Sequence, residues 1–233
     1  MRHLKRLSGC LILLAALAAT AGPAQTVDTM DSALKSRIDR IADQVLQQTG
    51  VPSASVAIVQ HGRLVYTHAY GKARLQPPVE ATSDMRYSIG SISKQFTAAA
   101  ILLLQQQGRL SLDDPVGKYV PDLTRGDEVT IRQILSHTSG YQDYWPEDYV
   151  MTPMLQPITV QQILDKWAKK PLDFDPGTQW QYSNTNYVIA GAIIEKVTGK
   201  PVMDFLTRHI FRPLDMRSVW DSNQTSLTRA DAT

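Results

Sequence analysis

Ser91 and Lys94 stand three residues apart in the segment Ser91-Ile92-Ser93-Lys94. On a helix that spacing puts both side chains on one face, one turn apart. A serine hydroxyl is a weak nucleophile at neutral pH and needs a base within hydrogen-bond reach. A lysine amine is such a base only in its neutral form, which burial favours because the charged form loses hydration. Ser91 also precedes a run, Phe96 and Ala98 to Leu104, that is apolar on nearly every side of a helix. Such a helix is expected at the centre of a fold. Its first N–H groups would lie beside Ser91 and favour an oxyanion or an anionic substrate. The pattern suits acyl transfer through a covalent serine intermediate. A plainer reading makes Ser91 or Ser93 a helix cap and sends Lys94 to solvent.

A second constellation is Tyr182-Ser183-Asn184, which follows Pro176-Gly177-Thr178. A tyrosine near a lysine can pass a proton to a leaving group. An asparagine amide can orient a substrate carbonyl and the lysine together. Here too there is a plainer reading, a helix entry with Ser183 or Asn184 as cap and Tyr182 as packing. His61, His68, His137 and His209 form no close ligand pair, so no metal and no cofactor is expected. His137 ends a short helix beside Thr138-Ser139-Gly140, where a structural role is expected. Gln142 and Asp143 follow in a loop and receive no role. No phosphate-binding glycine loop or dinucleotide fingerprint is present.

The elements that must carry these residues follow from periodicity. Ser32 to Thr49 sets Leu34, Ile38, Ile41 and Val45 on one helical face and stops at Gly50 and Pro52. Ser55–Gln60 and Arg63–Tyr70 flank His61-Gly62 and predict a β-hairpin. Pro77-Pro78 predicts a loop running to about Tyr87. Helices are predicted over 93–107, 131–136 behind a Thr130 cap, 160–168 behind a Thr159 cap, 186–197, and 201–211. No strong strand is predicted between residues 88 and 212. A hairpin alone is marginal in water, so the chain reads as short of sheet.

Arg2, Lys5 and Arg6, then the apolar run Leu11 to Ala19, then Ala19-Thr20-Ala21 describe a secretory signal peptide over residues 1–21. The run is too short for a stable membrane span, which needs about 20 residues. A periplasmic or secreted protein is therefore expected, with no stable membrane anchor once the signal is cleaved. Cys10 is the one cysteine and falls in the discarded segment, which excludes disulfides and thiol catalysis in the remainder. The formal charge of +2 rests on the same three basic residues. Without them the balance turns slightly acidic, and no basic stripe remains to bind nucleic acid.

Four blocks occur in a fixed order. They are Tyr87 to Thr97 (YSIGSISKQFT), Gly108 to Pro115 (GRLSLDDP), Ile131 to Gly140 (IRQILSHTSG) and Pro176 to Asn184 (PGTQWQYSN). Together they resemble the serine β-lactamase-related family, which takes in class C β-lactamases, D-alanyl-D-alanine carboxypeptidases, D-aminopeptidases and related esterases. The resemblance covers about residues 32–220. It implies an α+β fold, β-lactamase/transpeptidase-like, with an antiparallel sheet flanked by helices plus an all-helical lobe, carried here as a partial domain over residues 22–233.

The resemblance further implies Ser91 as acylated nucleophile, Lys94 as its base alone or with Tyr182, and Asn184 as the residue that orients substrate. Tyr182 would relay the proton to the leaving group. The Ser91 N–H would supply half of an oxyanion hole. The implied substrate is a β-lactam, a D-amino-acid peptide or an ester. The family's third motif, Lys-Thr-Gly or His-x-Gly on a late strand, is not found. Lys196-Val-Thr-Gly199 has one residue too many and reads as a helix end. The expectation is that the last sheet strands are missing from this chain and that residues 22–233 alone are nearly inactive. The competing expectations are a non-catalytic or slowly acylating penicillin-binding sensor, an inactive fragment, and a helical structural domain whose motifs are coincidental.

Overall fold

The computed structural model describes residues 30–145, 156–222, 228, 231 and 232. The predicted signal segment and Cys10 lie outside the described residues. The chain divides into two compact units, residues 1–83 and 84–233.

In the first unit, α1 covers Ser32–Thr49, the span its apolar spacing predicts. The Asp31 side chain accepts the Leu34 N–H, and Gly50 ends the helix in the left-handed conformation at φ 69. Strands β1 (Ser53–Gln60) and β2 (Arg63–Leu75) pair antiparallel. Their turn, His61 at φ 50 and Gly62 at φ 73, has both central residues left-handed, as the twist of a two-residue hairpin requires. The Asp39 carboxylate of α1 accepts from the Tyr66 and Tyr70 hydroxyls of β2, at 2.6 and 2.7 Å. These bonds, Tyr66 first, hold the Asp39 carboxyl below its usual range. The predicted loop after Pro77 is corrected in part: Pro78–Glu80 forms a third strand, β3, giving the order β1-β2-β3. Pro78 stands at the start of an edge strand, where its missing N–H costs no ladder bond.

The second unit is helical. A 3-10 turn, Gly90–Ser93, leads into α2, Lys94–Gln106. The short helices α3 (Ile131–Leu135) and α4 (Val160–Ile163) both start with reciprocal capping boxes, Thr130 with Gln133 and Thr159 with Gln162. Helix α5 covers Asn184–Thr198, beginning two residues earlier than predicted, and α6 covers Val202–Leu206. Wider turns extend α4 over Leu164–Ala168 and α6 over Thr207–Phe211. The core joins Ala100, Ile101 and Leu104 of α2 to Ile189, Ile193 and Ile194 of α5 and to Phe205 and Leu206 of α6. Each fully buried isoleucine adds roughly 1.5–3 kcal/mol of transfer free energy.

Helix α2 departs from its predicted burial all round. Leu102 remains 49% exposed, because α5 and α6 pack on one side of the helix and leave the other open among the described residues. Gly199 at φ 67 caps α5, so Lys196–Gly199 is a helix end and not a pocket motif. Arg86, five residues before Ser91, is clamped by Asp231, with Nε to Oδ1 at 2.7 Å and Nη2 to Oδ2 at 3.0 Å. Its guanidinium also lies over the Trp220 ring.

Candidate active site

The short turn Gly90–Ser93 presents Ser91 at the mouth of α2, with the hydroxyl exposed. Neither Ser91 nor Ser93 caps the helix: the Ser93 hydroxyl donates to the Gly90 carbonyl. Lys94 does not run to solvent either. Its Nζ donates to Ser91 Oγ at 3.0 Å and to Asn184 Oδ1 at 2.7 Å. Tyr182 Oη donates to the same Ser91 Oγ at 2.8 Å. The Lys94 Nζ lies 5.0 Å from the centre of the Tyr182 ring and 5.6 Å from that of Tyr187. The four residues named from the sequence thus form one cluster: Lys94 and Tyr182 reach the Ser91 hydroxyl, and Asn184 reaches Lys94.

What brings them together is a seam between the irregular stretch 137–145 and residues 173–187, an irregular stretch that runs into the first turn of α5. Gly177 N–H donates to Thr138 O, Gln181 N–H to His137 O, and Asp173 N–H to Gly140 O. Side chains continue the seam. Tyr144 N–H donates to Thr185 Oγ1, and Ser139 Oγ donates to Asn186 Oδ1 at 2.6 Å. Gly140 is required where the two stretches come closest. It stands at φ 85, and a Cβ there would sit 2.3 Å from the Phe174 carbonyl oxygen.

His137 is buried and its ring lies 4.6 Å from that of Tyr182, centre to centre. Its Nδ1 accepts the Ser183 N–H at 3.2 Å, which places the ring proton on Nε2. Burial, then the nearby Lys94 charge, push its pKa below the ordinary 6.5, against the opposing pull of Asp143. The sequence reading gives His137 only a general structural role. The structure adds that it backs the tyrosine.

Asp143 is the residue the sequence reading left without a role. Its Oδ1 accepts the Asn184 N–H at 2.9 Å and the Trp145 N–H at 3.0 Å, and its Oδ2 accepts from Asn184 Nδ2 at 3.1 Å. Ser183 stands at the cap position of α5 but makes no side-chain cap bond. The one sequence signal was a carboxylate just after His137-Thr-Ser-Gly140, with no partner that spacing could name. Among the described residues no cluster of His, Cys, Asp or Glu is arranged to hold a metal ion.

An antiparallel sheet, a helical unit and a serine hydroxyl bonded by a lysine and a tyrosine, with an asparagine holding the lysine, define the β-lactamase/transpeptidase-like class. The Beta-lactamase family model matches residues 38–233, and the chain belongs to the serine beta-lactamase-related family. It is similar to D-amino acid amidase from Ochrobactrum anthropi SV3 at 31% identity and a TM-score of 0.78, over 86% of this chain and 56% of that one. A class C beta lactamase matches at 30% identity and a TM-score of 0.69, over 82% of this chain and 52% of that one. Among curated relatives, Esterase EstB of Burkholderia gladioli is 32% identical over 82% of this chain and 53% of its own length. Protein flp of Staphylococcus aureus strain MW2 is 35% identical over 78% of this chain and 37% of its own. The chain thus spans about half the length, or less, of these relatives.

Proposed function

We propose that this chain carries the acylating site of an exported serine hydrolase, periplasmic or secreted after loss of residues 1–21. Its substrate is a small acyl compound: an ester, a D-amino-acid amide or peptide, or a β-lactam. The observation that carries the reading is the approach of Lys94 Nζ and Tyr182 Oη to Ser91 Oγ, at 3.0 and 2.8 Å. The relatives named as an esterase, an amidase and a class C beta lactamase support the substrate class.

In the resting geometry both groups donate to Ser91 Oγ. Attack needs one of them to accept the serine proton instead, and both are within reach. Ser91 Oγ forms the new bond to the acyl carbon, and the serine proton enters the Lys94–Tyr182 pair. The Ser91 N–H, in the 3-10 turn that leads into α2, would supply half of the oxyanion hole. As the bond to the leaving atom breaks, Tyr182 delivers a proton to that atom. Water then attacks the acyl carbon, the same pair accepts its proton, and as the acyl carbon–Oγ bond breaks the pair returns that proton to Ser91 Oγ. Asn184 Oδ1 holds the Lys94 Nζ in line, at 2.7 Å.

The test is incubation of the protein with p-nitrophenyl acetate, D-phenylalanine amide and a chromogenic cephalosporin, followed by product assay and intact-mass measurement. An adduct mapped to Ser91 or slow turnover, both lost in Ser91→Ala, is the expected result; robust turnover would overturn the expectation that residues 22–233 alone are nearly inactive. A stable adduct without turnover identifies a slowly acylating binder. Reaction unchanged in Ser91→Ala, or none with any of the three, overturns the reading.

A further inference from the structure

We propose that Asp143 is a positioning residue of the acylation site, acting on Lys94 and Ser91 through the amide of Asn184. The inference rests on the acylation chemistry proposed for Ser91.

An asparagine amide has a donor end and an acceptor end, and turning it over exchanges them. At Asn184 the acceptor end must face Lys94. Oδ1 receives the Lys94 Nζ at 2.7 Å and the Tyr182 hydroxyl at 3.4 Å. A reversed amide would present Nδ2, a donor, to the Lys94 Nζ, which when charged only donates. Nothing in Asn184 itself chooses between the two orientations. Asp143 does, because an ionised carboxylate only accepts. Its Oδ2 takes Asn184 Nδ2 at 3.1 Å while its Oδ1 takes the Asn184 backbone N–H at 2.9 Å. The same carboxylate thus holds Asn184 by backbone and side chain at once. It also supplies, from 41 positions away, the cap that Ser183 does not give α5. The Trp145 N–H in turn fixes the carboxylate, at 3.0 Å. The order carboxylate, amide, lysine, serine leaves one arrangement in which every donor meets an acceptor.

Exchanging donors and acceptors tests the point. In Asp143→Asn the new Oδ1 still accepts the two backbone N–H groups, but its Nδ2 opposes that of Asn184. The rate of p-nitrophenolate release in the first turnover should fall about 10- to 100-fold at saturating p-nitrophenyl acetate, as for a misplaced reacting group. The half-saturating concentration and the melting temperature should stay near the parent's. In the double variant Asp143→Asn/Asn184→Asp, the residue-143 amide donates to the residue-184 carboxylate, which again accepts from Lys94. The rate should recover to within about 10-fold of the parent.

A rate in Asp143→Asn equal to the parent's overturns the inference while leaving the reading of Ser91 intact. So does a loss matched by a fall in melting temperature and not recovered in the double variant. A parent protein that shows neither Ser91-dependent turnover nor a Ser91 adduct overturns the acylation reading itself, and this inference with it.

Discussion

Lys94 and Tyr182 address the same atom from two sides, Nζ at 3.0 Å and Oη at 2.8 Å from Ser91 Oγ, with the ammonium over the tyrosine ring. The two groups are therefore coupled, and substitution separates their parts.

Tyr182→Phe keeps the ring against His137 and removes the hydroxyl. If Tyr182 supplies the leaving-group proton, the loss depends on the leaving group. Hydrolysis of D-phenylalanine amide, whose amine needs that proton, should fall about 100- to 10,000-fold. Hydrolysis of p-nitrophenyl acetate, whose phenolate leaves without it, should fall much less. Steady-state rates on the two substrates check this. Equal losses would assign the tyrosine to the attack step alone.

Lys94→Arg keeps a positive charge near Asn184 but not a base, since arginine does not deprotonate in proteins. Acylation of Ser91 should drop by about 100- to 10,000-fold. Intact-mass measurement of the adduct against time reads the rate directly. An arginine variant that acylates normally would give the proton to Tyr182.

Gly140→Ala asks a left-handed position at φ 85 to accept a Cβ that would meet the Phe174 carbonyl oxygen. The conformation alone costs about 1–3 kcal/mol, and the contact adds to it. The urea midpoint should fall, and reactivity of Ser91 should fall with it, because Gly140 lies in the seam that presents Tyr182 and Asn184.

Acidification should destabilise the protein through His137. Its folded pKa lies below its unfolded value of about 6.5, so below that pH the unfolded chain binds the proton more readily. The stability is complete above pH 6.5 and is lost as the pH falls toward the folded value. The lowered carboxyls of Asp39, Asp114 and Asp231 lose their contributions only nearer pH 4. Urea midpoints compared at pH 7.5 and 5.5 should therefore differ, and His137→Gln should shrink that difference.

The residues that gather at the candidate site were largely legible in the sequence because they lie in short motifs. Ser91 and Lys94 are one turn apart, and Tyr182 and Asn184 two residues apart. The helix spans were legible where local signals set them: the apolar face of α1, the threonine caps of α3 and α4, and the glycine that ends α5. Three features were not. Asp143 acts on a residue 41 positions away through a carboxylate–amide contact that leaves no spacing in the sequence. Leu102 has the same local pattern as its buried neighbours, and only the packing of α5 and α6 decides which face stays open. Strand β3 was hidden by a proline that reads as a loop unless its edge position is known.

The distances along the chain carry a last consequence. Ser91 receives Tyr182 from 91 positions away, and Lys94 receives Asn184 from 90. Closing loops of that length costs entropy that only a packed core returns. In an unfolded chain Ser91 is an ordinary alcohol with no partner in reach beyond its neighbour Lys94. If Ser91 acylates as proposed, its reactivity switches on with folding, and a covalent probe of this serine would count native molecules one by one.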